Sequence, residues 1–437
     1  MKFQAPKGTH DILPGEVERW QWLEERTRGV MALYGYREVR SPIFESTDIV
    51  RKELYTFQDR KNRSLTLRPE GTAPLVRVFL ENSPLREDSQ ARLYYMGPMF
   101  RYERPQAGRY RQFWQIGAEL LGSARPEADA EMIDLFRAVL HDVGLEDVTV
   151  LLNSLGDATC RPAYREAIRA YFKQHEGKLC GDCKERLATN PLRILDCKVP
   201  SCAPVIAGAP SVLDSLCPEC AEHFEAVKRA LTGLGIRYEI APRLVRGLDY
   251  YTRTVFEIHA AGLGAQSAVG GGGRYDQLVK DFGGPDTPAI GFSIGMERLL
   301  LSIGADAAPA APQADVVVIA LKPDAGIEAQ ALARTLRGQQ EAPERRSPLR
   351  VLTDVAGRSA NSQMKWASKM GAKWAVFVPK GEDGYAVRDM AAGKDEQRQP
   401  SMEELRSWLL KRREPVESAR RRSSPCAGGS ARTAAAT

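Results

Sequence analysis

The sequence predicts an α+β domain, an antiparallel sheet with flanking helices, that is interrupted by a helical insertion and followed by a smaller α/β domain. Three observations carry this. Residues 92–103 (RLYYMGPMFRYE) and 113–122 (FWQIGAELLG) are rich in aromatic and β-branched residues and flank a polar loop, as in a long hairpin. After residues 304–313 (GADAAPAAPQ) the pattern changes to alternating strand and helix periods. Six of the eight cysteines fall between Cys180 and Cys220, inside a stretch of helical pattern. The expected boundaries are 1–303 for the first domain, with the insertion at about 163–238, then a linker at 304–313, a second domain at 314–412 and a tail at 413–437.

Behind the hairpin, further strands are expected at 148–153 and 253–258, and residues 288–301 read as strand, glycine turn and helix. The linker is small and proline-bearing. Beyond it come a strand at 316–321, a helix at 325–338 with Ile327, Ala331 and Leu332 on one face, a strand at 350–355, a helix at 359–370 and a strand at 374–378. A last helix starts at Ser401, whose hydroxyl forms a capping-box pattern with Glu404 three residues on. The tail lacks apolar periodicity and is expected to be disordered.

With 43% hydrophobic and 27% charged residues, and a mean hydropathy of −0.36, wholesale disorder and a membrane-spanning fold are excluded. The N-terminus has no apolar core behind Lys2, so no secretory signal is expected and the chain reads as cytoplasmic. The tail's five arginines and two glutamates leave only +3 for the rest of a chain whose net charge is +6. A balance that small neither demands nor excludes a nucleic-acid partner. In such a chain a cysteine cluster suggests metal before disulfides. Cys180-Gly-Asp-Cys183 and Cys217-Pro-Glu-Cys220 have the spacing of a structural zinc site, with Cys197 and Cys202 between them.

Five segments carry candidate chemistry. Arg101, Arg104, Arg109 and Arg111 crowd the hairpin loop beside Phe113 and Trp114. Arginine forks bind phosphate oxygens and an aromatic face stacks on a base. A solvated basic turn is the plain alternative, but Arg101 lies within an apolar strand pattern and needs a partner there. Gln115, Gly117 and Glu119 alternate onto one face, so Gln115 and Glu119 are expected in one cleft. Residues 245–252 (VRGLDYYT) gather a cation, a carboxylate and two phenols, which would serve a ligand or a buried structural network equally. The four glycines of 269–276 (VGGGGRYD) allow close backbone approach to a ligand, yet no Lys-Ser or Lys-Thr follows, so this is not a Walker A loop. In 289–301 (AIGFSIGMERLLL) glycines bend a strand into an apolar helix carrying Arg298, and 67–72 (LRPEGT) offers Glu70 and Thr72 at a turn suited to an ammonium group.

Together these segments resemble the histidyl-tRNA synthetases, class II aminoacyl-tRNA synthetases, from about Lys2 to Lys411. FRYERPQAGRYRQFWQIGAE is similar to class II motif 2, AIGFSIGMERLLL to motif 3, and SPIFESTDIVRK to the motif 1 region that builds the dimer. RGLDYYT and GGGGRYD resemble the two histidine-specific signatures. The resemblance implies a homodimeric, ATP-dependent, AMP-forming ligase: L-histidine is activated to histidyl-adenylate and pyrophosphate, then transferred to the 3′ end of tRNA(His). Matched by motif, Arg101 holds the α-phosphate, Phe113 stacks on adenine, Arg298 clamps the phosphates, and Glu103 and Arg109 complete the ATP side, with Mg²⁺ on the phosphates. Glu70, Gly71 and Thr72 take the amino end of histidine with Gln115 nearby. Glu119 and Tyr251 bond the imidazole, with Tyr250 and Tyr275 around them, and Arg246 faces Arg101 across the α-phosphate. Arg104 and Gln106 meet the acceptor end of the tRNA, while the α/β domain binds the anticodon. Lys365, Lys369 and Lys373 are candidates there, or merely a solvated helix face. The family does not require zinc, so Cys180, Cys183, Cys217 and Cys220 remain a candidate set from spacing alone. The rival is the histidine-sensing regulatory subunit of ATP phosphoribosyltransferase, which shares the catalytic fold. Arg246, the intact RGLDYYT and the second domain argue for the enzyme, and the histidine signatures disfavour a generic nucleotide-binding protein.

Overall fold

The computed structural model describes residues 3–49, 55–103, 110–245, 250–260, 268–304, 314–338, 349–382, 384–395 and 398–412. The chain divides into two compact units at residue 308. The expected linker beyond Gly304 and the tail lie outside the described residues.

Unit 1 begins with α1 (Val17–Leu33), β1 (Arg37–Glu38), β2 (Phe44–Ser46), β3 (Tyr55–Gln58) and β4 (Ser64–Leu67). There follow α2 (Thr72–Glu81), α3 (Ser83–Arg86), the hairpin β5 (Ala91–Phe100) and β6 (Gln112–Leu121), α4 (Pro126–Asp142) and β7 (Val148–Ser154). Helices α5 (Arg161–Gln174), α6 (Gly181–Thr189), α7 (Ala203–Ala207) and α8 (Pro218–Gly233) come next. The unit closes with β8 (Tyr238–Ile240), β9 (Thr252–Ala260), β10 (Ala268–Arg274), α9 (Leu278–Asp281), β11 (Ala289–Gly295) and α10 (Met296–Ser302).

Among the described residues, eight strands form one sheet in the order β1-β5-β6-β11-β10-β9-β7-β8, and β2, β4 and β3 form a small antiparallel sheet. The hairpin pairs without interruption from Ala91↔Leu121 to Phe100↔Gln112. The inner strands are antiparallel as expected, but the edges are not: β1 runs parallel to β5 and β8 parallel to β7. The edge strand β8 is reached through a helical excursion from β7, and such a crossover returns the chain in the same direction.

Strand alternation sorts the sheet's two faces. Ile116, Ala118 and Leu120 of β6 enter a core with α1, α4 and α8, where Phe136 stacks on Phe292 at 4.7 Å between centroids. Burying each such side chain contributes about 1.5–3 kcal/mol. The opposite face of β6 carries Gln115, Gly117 and Glu119. The insertion has its own core, formed by Tyr164, Ile168, Phe172, Leu187, Ile194 and Val205. Phe224, Val227 and Leu231 of α8 join the main core instead, so that helix is shared with the sheet.

Unit 2 contains β12 (Val316–Ala320), α11 (Gly326–Leu336), β13 (Val351–Thr353), α12 (Ala360–Lys369), β14 (Trp374–Val378), β15 (Val387–Asp389), β16 (Lys394–Asp395) and α13 (Met402–Arg412). Its sheet, β13-β12-β14-β15-β16, is parallel over the first three strands and antiparallel beyond. Strands β15 and β16 are too short and charged to show a hydrophobic period. One half of the capping box is made: Glu404 N–H donates to Ser401 Oγ at 3.1 Å, while the Glu404 carboxylate accepts the Ser401 hydroxyl at 2.8 Å. The expected face of α11 is corrected. Ile327 is 83% exposed and Ala331 is exposed, while Ala329, Leu332, Ala333 and Leu336 face the sheet. These four keep the i, i+3, i+4, i+7 spacing, and Ile327 lies about 140° around the helix from Leu332.

Candidate active site

The face of β6 opposite the core carries a buried carboxyl. Glu119 is 1% exposed; its Oε1 accepts the Thr72 hydroxyl at 2.7 Å and its Oε2 the Tyr275 hydroxyl at 2.6 Å. Burial pushes this carboxyl up to about 8, against those two hydrogen bonds and with help from the nearby Glu70 charge. Glu119 can lie flat because the facing residue on β11 is glycine: a Cβ at Gly291 would stand 1.6 Å from Glu119 Oε2.

Glu70 closes the N-terminus of α2. Its Oε2 accepts Thr72 N–H at 2.6 Å and its Oε1 accepts Ala73 N–H at 2.9 Å, satisfying two amides the helix leaves open. The carboxylate expected to meet an ammonium group is thus already engaged by backbone, with a second lone pair on each oxygen. Between Gly71 and Gly117 lies the ring of Tyr95, since a Cβ on either glycine would come within 2.2 Å of it. Tyr250 packs against Tyr251 at 4.8 Å and Tyr275 at 5.7 Å between centroids. Burial holds the phenols of Tyr95, Tyr250 and Tyr275 well above their ordinary range, hence neutral.

Three buried polar atoms of this cluster have no hydrogen-bond partner among the described residues: Gln115 Oε1 and the hydroxyls of Tyr95 and Tyr250. Each unmade bond costs about 1–3 kcal/mol. A small polar ligand that supplies donors and acceptors here would recover that energy, and a cationic one would return Glu119 to its ionised form. The structure therefore brings Glu70, Gly71, Thr72, Gln115, Glu119, Tyr250, Tyr251 and Tyr275 into one region. Tyr95 is a member the sequence reading missed; nothing separates it from other strand tyrosines until its neighbours prove to be glycines.

Beside this pocket, Arg101 leaves the end of β5. Its Nε donates to the Pro69 carbonyl at 3.0 Å and its guanidinium lies over the Phe113 ring at 5.0 Å. Arg111 Nε donates to the Glu103 carbonyl at 3.1 Å, and its guanidinium covers Tyr102 at 4.8 Å. Arg298 Nη1 donates to the Ala268 carbonyl at 2.8 Å, tying α10 to the start of β10. Its neighbour Glu297 was also missed: the backbone N–H of Trp114 donates to both its oxygens, at 2.9 and 3.2 Å. Burial raises that carboxyl to about 7. The one sequence signal is an acid inside an apolar helix start.

The glycine run takes a definite place in the sheet. It forms β10, buried between β9 and β11, and the close approach it permits is to other strands. A Cβ would fall 2.3 Å from Ser293 O at Gly270 and 2.0 Å from Gly291 O at Gly272. At its end Arg274 is fully buried and pairs with Asp129 while donating to Ser123 O (2.7 Å), Arg125 O (3.1 Å) and Asp276 Oδ1 (3.1 Å). Asp129 Oδ2 also accepts Thr254 Oγ1 at 2.5 Å and meets His223 Nε2 at 2.8 Å. This network anchors the residue next to Tyr275.

Arg104, Gln106, Arg109 and Arg246 lie outside the described residues. The two CxxC pairs, read above as one candidate set, separate. Cys180 and Cys183 gather with Cys197 and Cys202, whereas Cys217 and Cys220 gather with Cys160 and Asp157.

Residues 8–299 match the family described as Histidyl-tRNA synthetase. The histidine–tRNA ligase of Desulforamulus reducens is 48% identical over 427 residues, covering 93% of this chain and 98% of that one. That of Geobacillus kaustophilus is 46% identical over 431 residues, covering 94% and 99%. The apo histidyl-tRNA synthetase of S. aureus superposes with a TM-score of 0.78 at 34% identity, over 93% of this chain and 100% of that one. An ATP phosphoribosyltransferase regulatory subunit/histidyl-tRNA synthetase from Bacillus halodurans shares the fold, with a TM-score of 0.60 at 23% identity, over 84% and 97%. The length and depth of these matches establish that this chain belongs to the histidyl-tRNA synthetase family.

Proposed function

We infer that the chain is a histidine–tRNA ligase. The observation that carries this is identity near one half to histidine–tRNA ligases along more than nine-tenths of the chain, second unit included. The same breadth favours the enzyme over a histidine-sensing regulatory subunit.

In the first step the histidine carboxylate attacks the α-phosphorus of ATP; the bond to the β-phosphate breaks and pyrophosphate leaves. In the second, the terminal ribose hydroxyl of tRNA(His) attacks the adenylate carbonyl and AMP leaves. Neither step needs a protein nucleophile, so positioning and charge stabilisation do the catalysis. Glu119 and Tyr251 take the imidazole, Glu70, Gly71 and Thr72 the ammonium end, and Gln115 supplies a free acceptor. A buried site built to pair both ring nitrogens rejects analogues that leave its groups unpaired. Arg101 and Arg298, with Arg109 and Arg246, neutralise the phosphates, while Phe113 stacks on adenine. Glu103 at the hairpin mouth is the carboxylate that would hold Mg²⁺ with the ATP phosphates, where the ion would supply charge screening. Arg104 and Gln106 contact the acceptor end, and unit 2 the anticodon, where Lys365 and Lys369 are exposed and Lys373 Nζ is engaged by the Arg412 carbonyl at 2.9 Å. A homodimer built on the β2-β4-β3 sheet is supported by the exposed, edge-packed Phe44 and Phe57. No helix among the described residues is long and apolar enough to cross a membrane, and cytoplasmic residence suits the reaction.

Histidine-dependent ATP–pyrophosphate exchange, measured with each of the twenty amino acids, tests this reading. Exchange with histidine alone is expected. No exchange, with histidine still raising the melting temperature, would instead indicate a sensor. For Arg246→Ala, exchange is expected to be lost while histidine binding by calorimetry persists; wild-type exchange in that variant would remove Arg246 from its assigned role.

A further inference from the structure

We propose that the insertion is held by two structural zinc ions, one on Cys180, Cys183, Cys197 and Cys202, the other on Asp157, Cys160, Cys217 and Cys220. Within each group the candidate ligand atoms all lie within 4.8 Å of one another. Cys180 Sγ and Cys197 Sγ are 3.8 Å apart. That is far beyond a disulfide's ~2.05 Å. It is the edge of a tetrahedron of sulfurs each ~2.3 Å from a central zinc, about 3.8 Å.

The surroundings suit thiolates. Backbone N–H groups point at sulfur from Cys180 to Cys202 Sγ (3.2 Å), from Val199 to Cys197 Sγ (3.4 Å) and from Asp157 to Cys160 Sγ (3.3 Å). Both CxxC pairs wrap a helix start: Cys180 is the N-cap of α6 and Cys217 that of α8. Open amides and the positive helix end favour the anionic sulfur there. Cys183, Cys202 and Cys220 are fully buried. At the second site Cys160 Sγ and Cys217 Sγ stand 3.7 and 3.9 Å from Asp157 Oδ1, while Arg253 Nη2 meets the other carboxylate oxygen at 3.4 Å and orients it. Gly156, at φ +64°, makes room, since a Cβ there would lie 2.4 Å from Cys160 Sγ.

The two sites do different work. The first closes an insertion whose helices α6 and α7 have only nine and five residues, lengths that are marginal alone. Metal binding supplies the missing folding energy. The second sits where the chain leaves β7, and through Arg253 on β9 it ties the insertion's root to the strand that follows Tyr251. Four thiolates also suit iron, but three thiolates with a carboxylate are better matched to zinc.

Metal analysis of the full chain, purified without chelator, is expected to give about two zinc and no iron per chain. Cys183→Ser and Cys220→Ser are each expected to lower this to about one. On the unmutated protein, a mercurial titration followed with a zinc-sensitive dye should release zinc as thiols react, independently of how the variants fold. Less than a tenth of an equivalent overturns the proposal, as does iron in place of zinc. One equivalent that Cys183→Ser abolishes and Cys220→Ser leaves untouched overturns the second site.

Discussion

Replacing Glu119 by glutamine is expected to lower kcat/KM for histidine in pyrophosphate exchange by about 10³-fold or more, with a far smaller change in KM for ATP. Glu119 is the one side chain bonded to both Thr72 and Tyr275, so its loss unpairs the wall of the pocket as well as the ligand. Sites that hydrogen-bond a buried polar group discriminate by ~10⁴–10⁵ when that group is absent. Read as a transition-state loss, a thousandfold is about 4 kcal/mol. An equal fall in the apparent affinity for both substrates would count against this role.

The same substitution has a signature in stability. With its carboxyl at about 8 rather than the usual 4.5, folded Glu119 keeps a proton that the unfolded chain releases. The unfolded state thus binds fewer protons in that interval, and stability falls as pH rises from about 4.5 towards 8, then levels. Glu119→Gln carries no such proton. Its melting temperature relative to wild type is therefore expected to rise between pH 5 and pH 8, and parallel melting profiles across that range would refute the assignment.

Asp129→Ala is expected to destabilise unit 1 by ~3–5 kcal/mol, seen as a lower urea midpoint. Arg274 is fully buried, and without Asp129 its charge keeps only Asp276, 3.1 Å away. Thr254 and His223 lose their shared acceptor as well. Glu127→Ala is the control: its pair with Arg125 is solvent-exposed and screened, so its loss is expected to leave the urea midpoint nearly unchanged. A loss below about 1 kcal/mol for Asp129→Ala would mean that the network relaxes around water, and the anchoring role would fail. Because Arg274 is adjacent to Tyr275, histidine binding in this variant should weaken before ATP binding does.

Much of the site was legible as motifs. The hairpin, the strand-to-helix turn at Gly295 and the capping box at Ser401 are local, each set by side chains a few residues apart. The face of β6 followed from alternation alone, which put Gln115 and Glu119 together before any neighbour was known. What alternation leaves open is what faces them. Glu119 acts as it does because Gly291 lies across the sheet and Thr72 and Tyr275 come from other elements, 47 and 156 residues away in sequence. Ile327 shows the same limit in reverse: an apolar residue near the right period was placed on the buried face, but the helix is seated by Ala329, Leu332, Ala333 and Leu336.

By itself, then, the order of residues indicated the long hairpin, the strand-to-helix turn at Gly295, the alternating strand and helix periods beyond residue 314 and the chemical types gathered in five short segments. Those depend on periodicity, capping and turn chemistry, which act over a few residues. The tertiary structure alone decided that the glycine run packs as a strand between β9 and β11, that Arg274 is an internal strut, and that the paired cysteines separate into two clusters. Each of those outcomes rests on contacts between distant segments, where packing at van der Waals distance and the cost of leaving buried charges or thiols unpaired choose among arrangements that spacing leaves equal.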